Sequence, residues 1–340
     1  MAERNTFRVL YPLEAFDGGL NNKYEPNIIA DNESPDCLNV VFDDRGGVQS
    51  RLGMKKFNTT TVGSFSGDGL FTYRQNDTTE IMVGWWNGTM YKLAGTTFTT
   101  VPSAQSVFTA GTRVEMLVYQ NLAFFGNGGS TPYKYNGTEF TRHGSPQPNS
   151  CPTLISGTAG ANLVPSGYVN YKVSYVNSYV VEGNVSTFTT TLNIATSASV
   201  SLTSLPLAPT SFGVVARKLY RQDSTTTSIY KLVTTINDNT TTDYTDTTPG
   251  VSLSTSAPVD NAEPPNWSKG VVHQERLFLD DPTQPSKGAY SELANPFVVK
   301  AASNYLLFSD GDGENITAIG VHANNVAWQK DSSIWLTYMP

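Results

Sequence analysis

Few side chains in this 340-residue sequence stand at spacings that could do chemistry. The three histidines, His143, His273 and His322, have no second ligand two or four residues away, which argues against a metal centre. The stretch "SDGDGENIT" at 309–317 offers Asp310, Asp312, Glu314 and Asn315, superficially a calcium loop. It lacks the ligand spacing through position twelve and reads equally as a tight connection between strands. A glycosidase would need two carboxyls a few ångström apart across a cleft. Glu275, Asp280, Asp281 and Glu292 are the candidates, and nothing selects a pair among them. Trp85-Trp86 and Trp335 could stack on a sugar, but alternation along a strand buries every second side chain and favours packing between sheets. No Gly-x-Ser-x-Gly elbow, Cys/His pair or phosphate-cradling Gly loop occurs. The expectation is a protein that is not an enzyme, with no catalytic residue, cofactor or metal.

The composition suits that expectation. Apolar residues make up 39% and charged residues 15%, with a formal net charge of −7. There is no basic footprint for gripping phosphates. The charge serves solubility, or a surface along which nucleic acid can pass without sticking. Cys37 and Cys151 are the two cysteines, too few and too far apart for a disulfide framework. The opening "MAERNTFRVL" has no apolar run of a signal peptide, and no later stretch is long enough to span a membrane. Asn-X-Ser/Thr triplets at Asn87 and Asn136 read as turn chemistry, and folding in a cytoplasm is expected.

The elements that must carry these residues are strands. Thr, Ser, Asn and Gly mixed with Tyr and Phe, without any 3.6-residue apolar period, predict an all-β chain. Residues 1–35 read as an extended arm. "CLNVVFDDRGGVQSRLG" then reads as a hairpin turning at Asp44-Arg45-Gly46-Gly47. Beyond it, 83–99 and 125–141 match without a gap: Gly84/Gly126, Thr89/Thr131, Tyr91/Tyr133, Lys92/Lys134, Gly95/Gly137, Thr96/Thr138, Phe98/Phe140 and Thr99/Thr141. Tight turns are expected at Ala94-Gly95 and Asn136-Gly137, with each Phe set against the following unit. A repeat of about 40–45 residues of consecutive antiparallel strands has the period of a β-propeller blade.

The Pro-rich stretch 143–152 interrupts the repeat. The phrases "YKVSYVNSYVVEGNVS", "KLYRQ", "YKLVTTI" and "DYTDTTP" resemble an immunoglobulin-like, fibronectin type III-like sandwich, spanning 152–250. After a second Pro-rich linker, "NNVAWQKDSSIWLT" echoes "IMVGWWNGTMYKLA" through Val326/Val83, Ala327/Gly84, Trp328/Trp85 and Leu336/Leu93. The expected organisation is an arm at 1–35, propeller blades at 36–146, the sandwich at 152–250, and propeller again at 266–340. The third copy stops before its last strand, so the propeller is expected to be incomplete and the chain to be part of a longer protein.

Phe16, Gly18-Gly19-Leu20-Asn21, the Asn39-Val40 strand, the Gly46-Gly47 turn and Arg51-x-Gly53 resemble the N-terminus of the tail nozzle, or hub, proteins of short-tailed bacteriophages. The later "QERLFLDD", "GAYSELANPFVV" and "DGENITAIGVHANNVAWQKDSSIWLT", with Trp335, are similar to the same family. The resemblance implies a structural virion protein of the tail that assembles as a homo-oligomeric ring, six copies in the family. It further implies docking on a portal-adaptor ring, contact with tail fibres or spikes, and DNA passing through the channel without specific binding. The alternatives are a glycan-binding tail protein and a propeller glycosidase.

Overall fold

In a computed structural model of the chain, the described residues are 17–42, 47–58, 60–64, 66–76, 78–223 and 228–338. They form an all-β protein of many small antiparallel sheets. No α-helix occurs among them, only the 3-10 turns Pro102–Ala104, Thr210–Phe212 and Gly250–Ser252, so none is long and apolar enough to cross a membrane. The chain divides into two compact units, Met1–Thr59 and Thr60–Pro340.

In the first unit, β1 (Gly19–Leu20) and β2 (Glu33–Ser34) make a two-residue parallel pair. β3 (Val40–Phe42) and β4 (Val48–Ser50) pair antiparallel. Asn39 enters this hairpin with φ at 57°, a left-handed conformation that Asn tolerates, and its carbonyl accepts the Arg51 amide at 2.7 Å. Gly47 leads into β4, and Gly53 follows Arg51 in open space. Gly46, Phe16 and the 1–16 part of the expected arm lie outside the described residues.

The second unit opens with two four-stranded meanders. The first sheet is β5 (Gly67–Arg74), β6 (Glu80–Trp86), β7 (Thr89–Ala94) and β8 (Thr97–Thr100). The second is β9 (Glu115–Tyr119), β10 (Leu122–Gly126), β11 (Tyr133–Tyr135) and β12 (Phe140–Arg142). A two-layer insert follows. β13 (Thr153–Val164), β16 (Ala198–Thr203) and β19 (Tyr244–Asp246) form one layer. β15 (Thr190–Ile194), β14 (Gly167–Asn177), β17 (Val214–Gln222) and β18 (Lys231–Ile236) form the other. Val169, Tyr171, Val173 and Leu219 meet Val200 and Leu202 in the insert's core. At its edge the buried pair Arg221–Asp246 also takes the Tyr171 hydroxyl, at 2.7 Å from Asp246. Meanders then resume: β20 (Gly270–His273), β21 (Arg276–Asp280), β22 (Lys287–Tyr290) and β23 (Tyr305–Leu307) make the third sheet. β24 (Ile316–His322), β25 (Asn325–Lys330) and β26 (Ile334–Thr337) make the fourth.

These four meanders stack in series, each on the one before. Tyr73, Ile81, Val83, Trp85 and Met90 of the first sheet meet Ala123, Phe125, Tyr135 and Phe140 of the second. Leu122 and Phe124, on the other face of the second, meet Leu277 and Leu279 of the third, with Trp267 and Phe297. Phe278 meets Val326 and Trp328 of the fourth, with Phe308 and Ile316. Each large side chain fully buried in this way contributes roughly 1.5–3 kcal/mol. One backbone hydrogen bond crosses each junction: Val114 N–H to Asp68, Gly128 N–H to Trp267 and Ile316 N–H to Pro285, at 2.9, 2.9 and 3.1 Å.

The turns depart from expectation in an instructive way. Asn136-Gly137 is not a two-residue turn, because Tyr135 pairs with Phe140 and leaves a four-residue loop. The Asn136 side chain accepts the Thr138 and Glu139 amides at 3.0 and 2.7 Å, so only Gly137 takes positive φ. Left-handed pairs that close two-residue hairpins occur instead at Asn87-Gly88, Gln120-Asn121, Gln274-Glu275 and Ala323-Asn324. Three of those four contain no glycine.

The register of the repeat also differs from the ungapped match. Tyr91 and Lys92 face Thr100 and Thr99 as Tyr133 and Lys134 face Arg142 and Thr141, so the last two strands correspond. Yet Tyr91 pairs with Gly84, whereas Tyr133 pairs with Phe125 rather than Gly126. The second strand has slipped by one residue, which exchanges its faces. The fourth sheet shows the same exchange: Val326 and Trp328 face the preceding sheet, while Val83 and Trp85 face the following one. Phe140 accordingly packs back on the first sheet, not forward, and the lysines of β7 and β11 point forward.

Candidate functional site

A cluster of buried and half-buried polar groups lies where the second sheet, the third sheet and the insert meet. β11 and β12 supply Lys134 and Arg142, the chain leaving β12 supplies His143, and the linker before β20 supplies Glu263. The loop after β14 brings Tyr179, which stacks on Phe297 with ring centroids 4.9 Å apart. Lys134 is buried, and its ammonium nitrogen lies 5.5 Å from both ring centroids. It donates to the Arg142 carbonyl and, at 3.5 Å, to that of His143. Burial pulls the amine down to about 7, with Glu263 and Glu139 pulling the other way. His143 lies 4.4 Å from the Phe124 ring and donates from Nε2 to the Pro296 carbonyl at 2.9 Å. Full burial and then Lys134 push the imidazole down to about 3, so it is neutral.

Arg142 pairs with Glu263 at 3.0 Å and rests 4.7 Å from the ring of Phe212 in the insert. Burial raises the Glu263 carboxyl, while Arg142 and Lys134 oppose the rise. Arg142 Nε, His143 Nδ1 and Glu263 Oε1 are buried without a hydrogen-bond partner, a cost the surrounding apolar contacts must offset. Further bonds close the joint: Ser145 Oγ to the Tyr175 carbonyl at 2.9 Å, and Asn261 to Asn184 and to the Glu182 carbonyl at 2.7 and 3.0 Å. Chemically the arrangement clamps three segments. Its amine and imidazole are enclosed, and neither faces a cleft.

The residues singled out in the sequence are dispersed by comparison. Gly84 lies beneath the flat ring of Trp86, which also meets Tyr91 and Phe98 at 5.6 and 5.1 Å. Gly126 faces Trp267, where a side-chain carbon would come within 2.4 Å of the Trp267 carbonyl oxygen. Gly95 and Gly137 occupy positive φ, 63° and 96°. Tyr133 stacks on Phe140 at 4.8 Å, and Trp335 lies 6.1 Å from Phe308. Trp85 is buried among Phe108, Phe125 and Phe140.

Asp280, Asp281 and Glu292 are engaged by nearby side chains or amides. Asp280 accepts from Ser268 and Lys269, and Asp281 from Thr283. Glu292 holds Asn304 and Lys300. Glu275 uses its backbone carbonyl toward Tyr119 at 3.4 Å. In the 309–317 loop, Asp312 pairs with Lys330 at 2.5 Å and Glu314 takes Ser332. Among the described residues no group of three or more His, Cys, Asp and Glu could hold a metal ion, and both cysteines are free.

Sequence reasoning missed Lys134, Arg142, His143, Glu263, Tyr179 and Phe297 as a group. The Lys92/Lys134 match was the one signal available. Lys92 reaches forward to the Gly137 carbonyl at 3.3 Å, the lesser counterpart of what Lys134 does in the joint.

No known family profile matches the chain, and no curated protein sequence does. Among solved structures, the crystal structure of the computationally designed Ika8 protein is similar at 9% identity and a TM-score of 0.17, over 84% of this chain and 100% of that one.

Proposed function

We propose that this chain is a structural virion protein: the four meanders are blades of a β-propeller, interrupted by a fibronectin type III-like sandwich, in the tail nozzle ring of a short-tailed phage. The observation carrying the reading is the serial stacking of four like sheets, with a two-layer insert clamped between the second and third. Consecutive antiparallel strands per sheet fit propeller blades, and seven strands in two layers fit the sandwich. Several ionisable groups, His143, Arg142 with Glu263, Asp312 with Lys330 and Asp280, hold segments together. A net charge of −7 suits a conduit, because each phosphate neutralised by Lys or Arg adds counterion-release affinity that would brake DNA. The ring, the portal-adaptor contact and the fibre contact come from the sequence resemblance.

The test is mass photometry of the full chain, alone and with a candidate portal-adaptor ring from the same genome. A discrete ring, formed alone or on the adaptor, is expected. A monomer indifferent to the adaptor overturns the reading, and retention of that monomer on a glycan surface would favour the binding alternative.

A further inference from the structure

An open cavity of about 680 Å³ lies beside β23, the edge strand of the third sheet, and its size suits a small-molecule site. One wall is the turn from β21 into β22, with Gln284 and Lys287. The second is β23 with Tyr305, and the third is the loop 309–314 with Asp310 and Glu314. A smaller space of about 170 Å³ shares Lys287 and Tyr305 with it and reaches Asn304, so the whole is an elongated cleft.

Both rims are fixed by the protein's own bonds. The loop 309–314 turns through Gly311 and Gly313, at φ 87° and 78°. Asp312 pins it to the buried Lys330 amine at 2.5 Å, and that amine also donates to the Phe308 carbonyl and the Ser286 hydroxyl at 2.8 and 3.2 Å. The Glu314 carboxylate takes the Ser332 hydroxyl. On the other rim, Asp260 accepts the Ala301 and Ala302 amides at 2.8 and 3.0 Å. A cleft whose walls are set before binding loses little freedom in taking a ligand.

The groups left free inside are of mixed kind. The Asp310 carboxylate and the Tyr305 hydroxyl make no hydrogen bond or ion pair among the described residues, and both side chains are exposed. The Lys287 ammonium stands 5.5 Å from the Tyr305 ring centroid and 3.8 Å from Asp281, too far for a hydrogen bond. An anion would meet Asp310 and Glu314, and a cation would meet Lys287. An apolar body would strand all three. A neutral molecule rich in hydroxyls suits every one of them, because a hydroxyl donates to a carboxylate and accepts from an ammonium. The apolar C–H face of a sugar ring fits the Tyr305 ring, which is apolar in body and polar at its tip. We propose that this cleft binds a neutral oligosaccharide, with one sugar ring on Tyr305 and its hydroxyls shared between Asp310 and Lys287. The site needs neither a ring of copies nor an adaptor, so it stands or falls apart from the nozzle reading.

The experiment places the full chain on an array of neutral and acidic oligosaccharides and titrates the strongest binder by calorimetry. The variants are Tyr305→Ala and Asp310→Asn, with Tyr168→Ala on the insert, an aromatic 52% exposed, as control. All three residues are exposed, so folding is preserved, with the melting curve as check. Neutral glycans should be retained and acidic ones not. Tyr305→Ala should weaken the titrated binding about ten-fold through loss of the ring. Asp310→Asn should weaken it about ten-fold or more, because hydrogen bonds to a charged group are lost. Tyr168→Ala should leave it unchanged. No retention on the array, retention of acidic glycans alone, or binding that both cleft variants leave intact overturns the site. The mass of the chain, alone and with the adaptor, decides the nozzle reading in every one of these cases.

Discussion

Lys134 shows how a single residue can set the pH response of this fold. Its amine sits at about 7 when folded against an ordinary 10.5, so between those values the unfolded chain binds the extra proton. The stability this group can contribute is therefore complete above 10.5, and it is lost as pH falls to 7. His143 behaves alike at lower pH, with stability present above 6.5 and lost as pH falls toward 3. Glu263 acts in the opposite sense, since a raised carboxyl favours the folded state in acid and loses that advantage as pH rises through its folded value. From pH 7.5 to 9.5 the His143 imidazole is neutral, whereas the Cys151 thiol, pushed up by burial, opposes the lysine as pH rises, so the lysine's share is the difference between the wild type and a Lys134 variant. Denaturant midpoints there should show this share rising by up to about 1.4 kcal/mol per pH unit. Lys134→Met keeps the packing on Tyr179 and Phe297 but should remove that rise. An unchanged slope in the variant would mean that the ammonium is solvated in the folded protein.

At the scale of the element, the turns connect sequence to architecture. Gln274-Glu275 holds two side-chain-bearing residues at φ 44° and 58°, where such residues are strained. Replacing the pair by Asn-Gly relieves that strain and leaves the Glu275-position carbonyl in place for Tyr119, so the chain should gain about 1 kcal/mol in denaturant melts. A loss would show that the native pair is held by side-chain contacts rather than tolerated by the backbone. The same turns explain what the sequence could and could not reveal. The alternation of β14 and the β7/β8 repeat were legible because side-chain period and Gly-Thr turns declare them directly. The pairs Gln120-Asn121, Gln274-Glu275 and Ala323-Asn324 carry no glycine and were invisible, although they organise three hairpins. Gly84 and Gly126 align in sequence and yet face different neighbours, because cross-strand pairing, not identity, fixes which face is buried. The joint was illegible for a further reason. Lys134 and Glu263 lie on opposite sides of the insert in sequence, and only the closure of that insert brings them together.

For the second unit as a whole, the question is whether the insert swings on its two linkers or is fixed to the sheets. A projecting module joined only by Pro-rich segments would melt independently. The contacts argue for one body: Tyr179 stacks on Phe297, Val181 packs against the apolar cluster between the second and third sheets, and Arg142 lies on Phe212. Hydrogen bonds of Asn261 to Asn184 and Glu182 tie the return linker to the same loop. That loop is itself pre-formed, since Asn177 Oδ1 accepts the Tyr179 and Val181 amides at 3.0 and 3.1 Å. Calorimetry should therefore give a single transition in which insert and sheets unfold together. Tyr179→Ala removes a half-buried ring from the joint at a cost of about 2 kcal/mol. Opening of the joint should then become roughly thirty-fold more frequent, read as faster proteolysis within 143–152 and 253–267 while the insert's own core amides keep their exchange protection. If cleavage there is unchanged in the variant and already fast in the wild type, the insert swings freely, and the clamp built on Lys134 does not govern its position.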